Sequence, residues 1–303
     1  MAALFDAYIM VDWSAAAKPS LGANSIWIGV LAKDARLKLQ YRGVNIDTRL
    51  KARAFIEDIV AKLTKRGDKI LIGFDFSLGF PAGTAAALGL DISKQAPWAA
   101  TYAHLATKLK DKPDNSNARY AIAAGLNYAI SKGAFPFWGA PARDVVSTLS
   151  ATRPDYAGAA LSEFRICENY LKEKKIGQPK SVWQLAYTGS VGSQTLTGIP
   201  HVHALRQAWP TSRIWPFELG TEPLTAGSLE GIDVVMAEIY PALVKAKPEI
   251  GEVADEAQVR QIARHYADLD EKGTLGAAFS TAKSLSPEQN QHVTEEEGWI
   301  LGV

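Results

Sequence analysis

Cysteine is nearly absent from this 303-residue chain: Cys167 stands alone. A single thiol excludes an internal disulfide framework and the small secreted folds that depend on one, so a reducing compartment is expected. Ala160, Phe164, Cys167 and Leu171 recur at helical spacing, which reads as a core thiol rather than a nucleophile. Histidine is also scarce, and no Cys/His arrangement has the spacing of a zinc site. His201-Val202-His203 looks like a metal pair, but i, i+2 side chains on a helix face different ways; His265 reads as structural. No apolar run approaches the roughly 20 residues that span a bilayer. The start, Met1 to Asp6, lacks the basic segment of a signal peptide. A soluble, cytoplasmic protein with no membrane partner is therefore expected. Net charge is only +1, so the field of the whole chain argues neither for nor against a polyanion. Neither an internal repeat nor a Gly-Lys-Ser/Thr phosphate loop is present.

What the chain does have is a run of strand signals, each ending on an acid. Ala7 to Val11 is apolar and stops at Asp12, followed by a polar loop from Ser14 to Asn24. Ser25 to Leu31 and Leu37 to Val44 read as two further strands joined as a hairpin. Ala52, Phe55, Ile56, Ile59, Val60 and Leu63 form one stripe of an amphipathic helix, with Asp47 or Thr48 as its cap and Gly67 at its end. Lys69 to Phe74 is a fourth strand, ending at Asp75. Residues 81–210 turn Ala-rich and mainly helical, broken at Pro113, Pro136, Pro141, Pro154 and Pro179. Ser212–Phe217 and Asp233–Ile239 resume the strands, and a last helix carries Val259, Ile262, Ala263 and Tyr266. The organisation expected is an α/β core of residues 1–80 and 211–303, with 81–210 inserted as a lid or substrate-contact region.

If the strands ending in Asp12, Asp75 and Glu238 lie side by side, three carboxylates meet at one sheet edge. Acids desolvated without partners cost several kcal/mol, so such a cluster calls for a cation. Mg²⁺ and Mn²⁺ suit oxygen ligands. Asp255 precedes Val259 by four and shares its stripe, which leaves it two roles, a fourth ligand or a cap of the helix. A polar strand end at a loop is the plain alternative for each of these acids.

Other features carry less. The loop Thr188 to Pro200 is dense in Gly and hydroxyls ahead of a helix over 199–208. It offers Ser190, Gly192 and Ser193 as anion-binding candidates, beside the simpler reading of a flexible turn. Ser14 as a nucleophile lacks a nearby base, and a loop-forming hydroxyl is the plain alternative. Trp98, Trp138, Trp183 and Trp209 read as core, with a stacking surface as the other possibility. Residues 100–185 carry an excess of Lys and Arg, and 251–303 an excess of Asp and Glu. A basic insertion over an acidic site suits a phosphate-bearing substrate, and two solvated faces explain it equally.

The order of these elements resembles the RNase H-like superfamily, and within it the family catalogued as domain of unknown function 429. The resembling pieces are Val11-Asp12-Trp13-Ser14, Gly73-Phe74-Asp75-Phe76-Ser77-Leu78-Gly79-Phe80-Pro81, Ala237-Glu238-Ile239-Tyr240-Pro241-Ala242 and Asp255-Glu256-Ala257. The resemblance implies an RNase H-like mixed β-sheet flanked by helices, strand order 3-2-1-4-5, with acids around strand one. It also implies two metal ions in nuclease members, with Asp12 bridging and Asp75, Glu238 and Asp255 completing the ligands. Related last helices read Asp-Ala-Leu-Ala where this chain has Asp255-Glu256-Ala257-Gln258. The function expected is a metal-dependent hydrolase or nuclease-like enzyme using Mg or Mn. Its partner would be a phosphate-bearing small molecule or nucleic acid, with a homodimer left open. A non-catalytic binding or accessory protein is one alternative. An actin-like or sugar-kinase-like phosphotransferase is the other, though it needs a duplicated core and a Gly/Thr-rich first loop.

Overall fold

The computed structural model describes residues 3–187 and 189–303, so Thr188 of the Gly-rich loop lies outside the described residues. Six strands form one mixed sheet: β1 (Ala7–Asp12), β2 (Ile26–Lys33), β3 (Leu39–Ile46), β4 (Ile70–Phe74), β5 (Ser212–Ile214) and β6 (Val234–Glu238). Their spatial order is β3-β2-β1-β4-β6-β5. The hairpin is present, with β2 antiparallel to both β1 and β3, while β4, β6 and β5 run parallel to β1. The short β5 takes the outer edge, and the later β6 lies against β4. β5 stops at Ile214 rather than at Phe217, consistent with Pro216, which has no N–H to give a ladder.

Each sheet face alternates with period two, and the two faces bury different cores. Ile9, Val11, Ile72, Phe74, Val234 and Met236 join one core. That face is covered by α1 (Arg49–Lys65) and by helices of the insertion. Thr48, not Asp47, caps α1, its side chain accepting from the Lys51 N–H. Tyr8, Met10, Leu71, Val235, Ala237 and Ile239 join the second core with Val259, Ile262 and Tyr266. Those three belong to α7 (Ala254–Glu271), the last long helix. Each such fully buried aliphatic chain contributes about 1.5–3 kcal/mol of transfer free energy, so both faces are strongly specified. Gly73 makes this packing possible: a Cβ there would come within 2.6 Å of Ile239 and of Met10.

Between β4 and β5 the chain forms α2 (Thr84–Ala87), α3 (Pro97–Lys108), α4 (Arg119–Ser131), α5 (Ile166–Glu173) and α6 (Gly192–Ala208). The region is less helical than its composition suggests. Residues 132–165 contain a single 3-10 turn and are tied by isolated bridges such as Trp138 to Ser150 and to Gln184. Cys167 is fully buried on α5, but that helix begins at Ile166, so Ala160 and Phe164 are not on it. α6 begins at Gly192, inside the segment expected to be a turn, because Gly192 packs so closely on the Val182 and Gln184 carbonyls that a side chain is excluded. No helix among the described residues is long and apolar enough to cross a membrane.

Candidate functional site

Asp12 and Asp75 end adjacent parallel strands, and the register Val11↔Phe74 brings them level. Both continue the face of Met10 and Leu71, the one on which α7 packs. The Asp12 carboxyl is pushed well above its ordinary value, first by burial, then by the charges of Asp75 and Asp255 and by a hydrogen bond with Asp75. Asp75 is also raised, by burial foremost, although the Trp13 N–H and the contact with Asp12 oppose the shift. Two close acids in a desolvated place oppose full ionisation, so the pair holds protons above the ordinary carboxylate range. Asp75 is held in position by the Trp13 N–H, which donates to Oδ1 at 2.7 Å.

Asp255 lies in the first turn of α7, but Val253 occupies the cap position. Its Oδ2 instead accepts from the Asn24 N–H at 2.6 Å, tying the 14–24 loop to the helix. Asp255 is near enough to raise both strand-end acids. No three His, Cys, Asp or Glu side chains among the described residues come together closely enough to hold a metal ion by themselves.

Glu238 is separated from the pair by orientation. Register places it opposite Phe74, so it points with Met236 to the other face of the sheet. There Oε1 accepts from Arg165 Nη2 at 2.6 Å, and Oε2 from Arg165 Nη1 and the Leu78 N–H, each at 2.8 Å. Arg165 is fully buried and also bonds Glu168 and the Glu297 carbonyl. Glu297 in turn accepts from the N–H groups of Ala82 and Ile166, and Glu296 from those of Gly83 and Ala85. This network staples the start of the insertion, and the start of α5 within it, to the C-terminal segment. Sequence reasoning missed it, because its members lie far apart in the chain and on no common motif.

A cleft of about 530 Å³ opens beside Asp12 and Asp255 and is lined on its far side by Arg119, Tyr120, Tyr187 and Ser190. A smaller cavity of about 280 Å³ is lined by both Asp75 and Glu238 and shares Gln194 with the first, so Glu238, though turned to Arg165, still borders a space that Asp75 reaches. Of the Gly-rich candidates, Gly192 gives its N–H to the Gln184 carbonyl at 2.9 Å. Ser193 gives its hydroxyl to the Leu185 carbonyl at 2.6 Å. Both are occupied internally, whereas no side-chain partner is present for Ser190 among the described residues. Ser14 is a loop hydroxyl, donating to the Asn24 carbonyl at 3.2 Å and accepting from the Ala16 N–H.

The histidine pair separates as helical geometry requires. His201 is buried, with Nε2 2.9 Å from Asp111 and its ring 5.1 Å from Trp13, while His203 packs edge-on to Tyr102. Burial foremost pushes the His201 pKa down. Asp111 also receives Arg49 through two hydrogen bonds of 2.7 Å. Arg49 Nη1 reaches the carbonyls of Ser14 and Ala16, so this buried ion pair holds the loop that follows Asp12. Trp183 stacks on Phe80 within the core and Trp98 on Phe217, which leaves neither as an open stacking surface.

Comparison with protein-family models, curated proteins and solved structures returns no match to this chain.

Proposed function

We propose that this chain is a metal-dependent hydrolase or nuclease-like enzyme acting on a phosphate-containing substrate, built on an RNase H-like core of the kind found in the domain of unknown function 429 family. The observation that carries the reading is the Asp12–Asp75 pair, level at the carboxyl ends of neighbouring parallel strands, with Asp255 close by. Ligands of open α/β sheets bind outside such strand ends. The sheet order supports the fold reading: β3-β2-β1-β4-β6 follows the order implied by the resemblance, with β5 added outermost.

The donor set suits a hard divalent ion. The ion pairs formed nearby involve Asp111, Glu238 and Glu252, not Asp12, Asp75 or Asp255. Mg²⁺ takes one or two protein carboxylates and completes its shell with water and substrate phosphate oxygens, so two acids and a neighbour suffice. When bound, such an ion polarises a phosphoryl oxygen and lowers the pKa of water. The chain's own residues do the rest. Asp12 and Asp75 would hold such an ion once the pair has released its protons. Trp13 holds Asp75 still, Asn24 holds Asp255, and the 81–210 insertion supplies the far wall of the cleft.

One observation favours a second reading. Glu238 spends its oxygens on Arg165, as expected of an accessory or binding protein that retains the fold without catalysis. A phosphotransferase of the actin or sugar-kinase kind fits less well, since it needs a second core sheet and the described residues form one. Calorimetric titration with Mn²⁺ separates these readings. Wild type is expected to bind and Asp12→Asn to bind at least tenfold more weakly; equal binding by both, or none by either, leaves the accessory reading in its place.

A further inference from the structure

Four arginines are buried in this protein: Arg49, Arg119, Arg165 and Arg260. Three have carboxylate partners, namely Asp111, Glu238 with Glu168, and Glu252 with Glu249. Arg119 is only 9% exposed, yet it forms no ion pair among the described residues. Its Nε lacks any hydrogen-bond partner, and Nη1 has only a long contact of 3.3 Å with Asn117 Oδ1. The guanidinium stacks on Tyr120, 4.8 Å from the ring centroid, which steers its plane and leaves its donor edge unfilled. A guanidinium is always charged and carries five donors in a fixed fork. Burying one without an anion is costly.

Its position says what the missing partner is. Arg119 opens α4, whose preceding residue Ala118 offers no side-chain cap. It lines the large cleft together with Ser190, Asp12 and Asp255. α6 also starts at this cleft without a side-chain cap. The first amides of both helices are spent, Arg119 N–H on Asn117 Oδ1 and Gly192 N–H on the Gln184 carbonyl, so it is the unpaired fork that favours an anion with several oxygens. Among the described residues the acids lining that space are Asp12 and Asp255, and neither forms an ion pair with Arg119.

We infer that Arg119 is the anion anchor of this cleft, binding a phosphate group of the ligand through its fork, with the Ser190 hydroxyl beside it. This deepens the reading above by placing the anionic part of the substrate on the insertion, away from the carboxylate pair. It can be tested with no metal present, so the two readings fail separately. Inorganic phosphate is titrated calorimetrically into the full chain in EDTA, against chloride of equal ionic strength. Wild type is expected to bind; Arg119→Gln is expected to lose at least about tenfold in affinity, and Arg119→Lys to keep part of it, since charge without the fork is a weaker phosphate ligand. Ser190→Asp removes no internal bond, and its added negative charge is expected to weaken phosphate about tenfold, which keeps the test decisive if Arg119→Gln does not fold. A nucleoside monophosphate and a short oligothymidylate, titrated in parallel, distinguish a small-molecule phosphate from a nucleic-acid backbone by which one binds more tightly than inorganic phosphate. Absence of phosphate binding by wild type, or equal binding by wild type and folded Arg119→Gln (or by Ser190→Asp where Arg119→Gln does not fold), overturns the assignment.

Discussion

Glu238 and Arg165 are joined by hydrogen bonds of 2.6 and 2.8 Å, with the arginine wholly out of solvent and the glutamate nearly so. The pair connects the end of β6 to the start of α5, and so connects the sheet to the insertion. Removing one member of a buried ion pair leaves the other charged and unpaired, at a cost of about 3–5 kcal/mol. Glu238→Gln is therefore expected to lower the midpoint of denaturant unfolding substantially while leaving Mn²⁺ affinity within twofold of wild type. A large loss of Mn²⁺ affinity in folded Glu238→Gln protein would restore this acid to the metal shell.

The carboxylate pair makes stability depend on pH in a direction opposite to that of an ordinary salt bridge. Asp12 and Asp75 have raised values in the folded state, burial being the first cause for both. The folded protein holds their protons more tightly than the unfolded chain does. Their contribution is thus most favourable below about pH 4, near the unfolded value, and is lost as pH rises through the folded values. In EDTA, Asp12→Asn is expected to melt a few degrees above wild type at pH 8, with the gap closing toward pH 4. Mn²⁺ should then raise the melting temperature of wild type more than that of the variant. Thermal melts across pH, with and without the ion, decide the matter; a variant less stable at pH 8 in EDTA contradicts the pair.

Arg49 and Asp111 lie far from the acids in sequence but control the loop beside them. The side chains are 0% and 1% exposed, and Arg49 also binds the Ser14 and Ala16 carbonyls. Burial works to raise the Asp111 carboxyl, but hydrogen bonds from Arg49 and His201 outweigh it and hold the carboxyl far below its usual range. Here the sign is the ordinary one: the stabilisation is present above about pH 4 and fades as pH falls below it. Asp111→Asn is expected to destabilise at pH 7 by about 3 kcal/mol or more and to speed amide exchange across Ser14–Ala16. Unchanged exchange in that loop would show that Arg49 does not hold it.

Gly198 of α6 lies directly on the ring of Phe76, and a Cβ there would overlap the ring carbons. Phe76 packs in turn against Trp13, with ring centroids 5.9 Å apart. Gly198→Ala is expected to cost about 1–3 kcal/mol through overpacking. By displacing Trp13 it should also weaken Mn²⁺ binding, whereas Gly125→Ala, inside α4 where a Cβ meets nothing within 4 Å, should leave Mn²⁺ binding unchanged and raise stability by up to about 1 kcal/mol. Urea denaturation and Mn²⁺ titration of the two alanine variants provide the comparison.

Much of the fold was legible in the residues. Short apolar runs marked the strands, the 52–63 stripe marked α1, and the acids after Val11 and Phe74 marked strand ends. Local patterning suffices there because β1 and β4 are buried on both faces and read as unbroken apolar runs, while α1 buries one continuous stripe. The insertion was less legible. Its irregular stretches are held by long-range contacts, such as Asn127 bonding the carbonyls of Phe137 and Thr148, that leave no periodic trace.

The three strand-end acids show where sequence stops and tertiary structure takes over. That Asp12, Asp75 and Glu238 end strands follows from local hydrophobic pattern. Which of them meet depends on inter-strand register, and a shift of one residue turns a side chain to the opposite face. With Val11 level with Phe74, Asp75 joins Asp12 beneath α7; with Phe74 level with Glu238, that glutamate faces the other way and turns to Arg165. The same holds for Arg119, an ordinary helix-start arginine until packing buries it in a cleft without a partner. Charge and residue type are properties of the chain; neighbours and solvent exposure belong to the folded state.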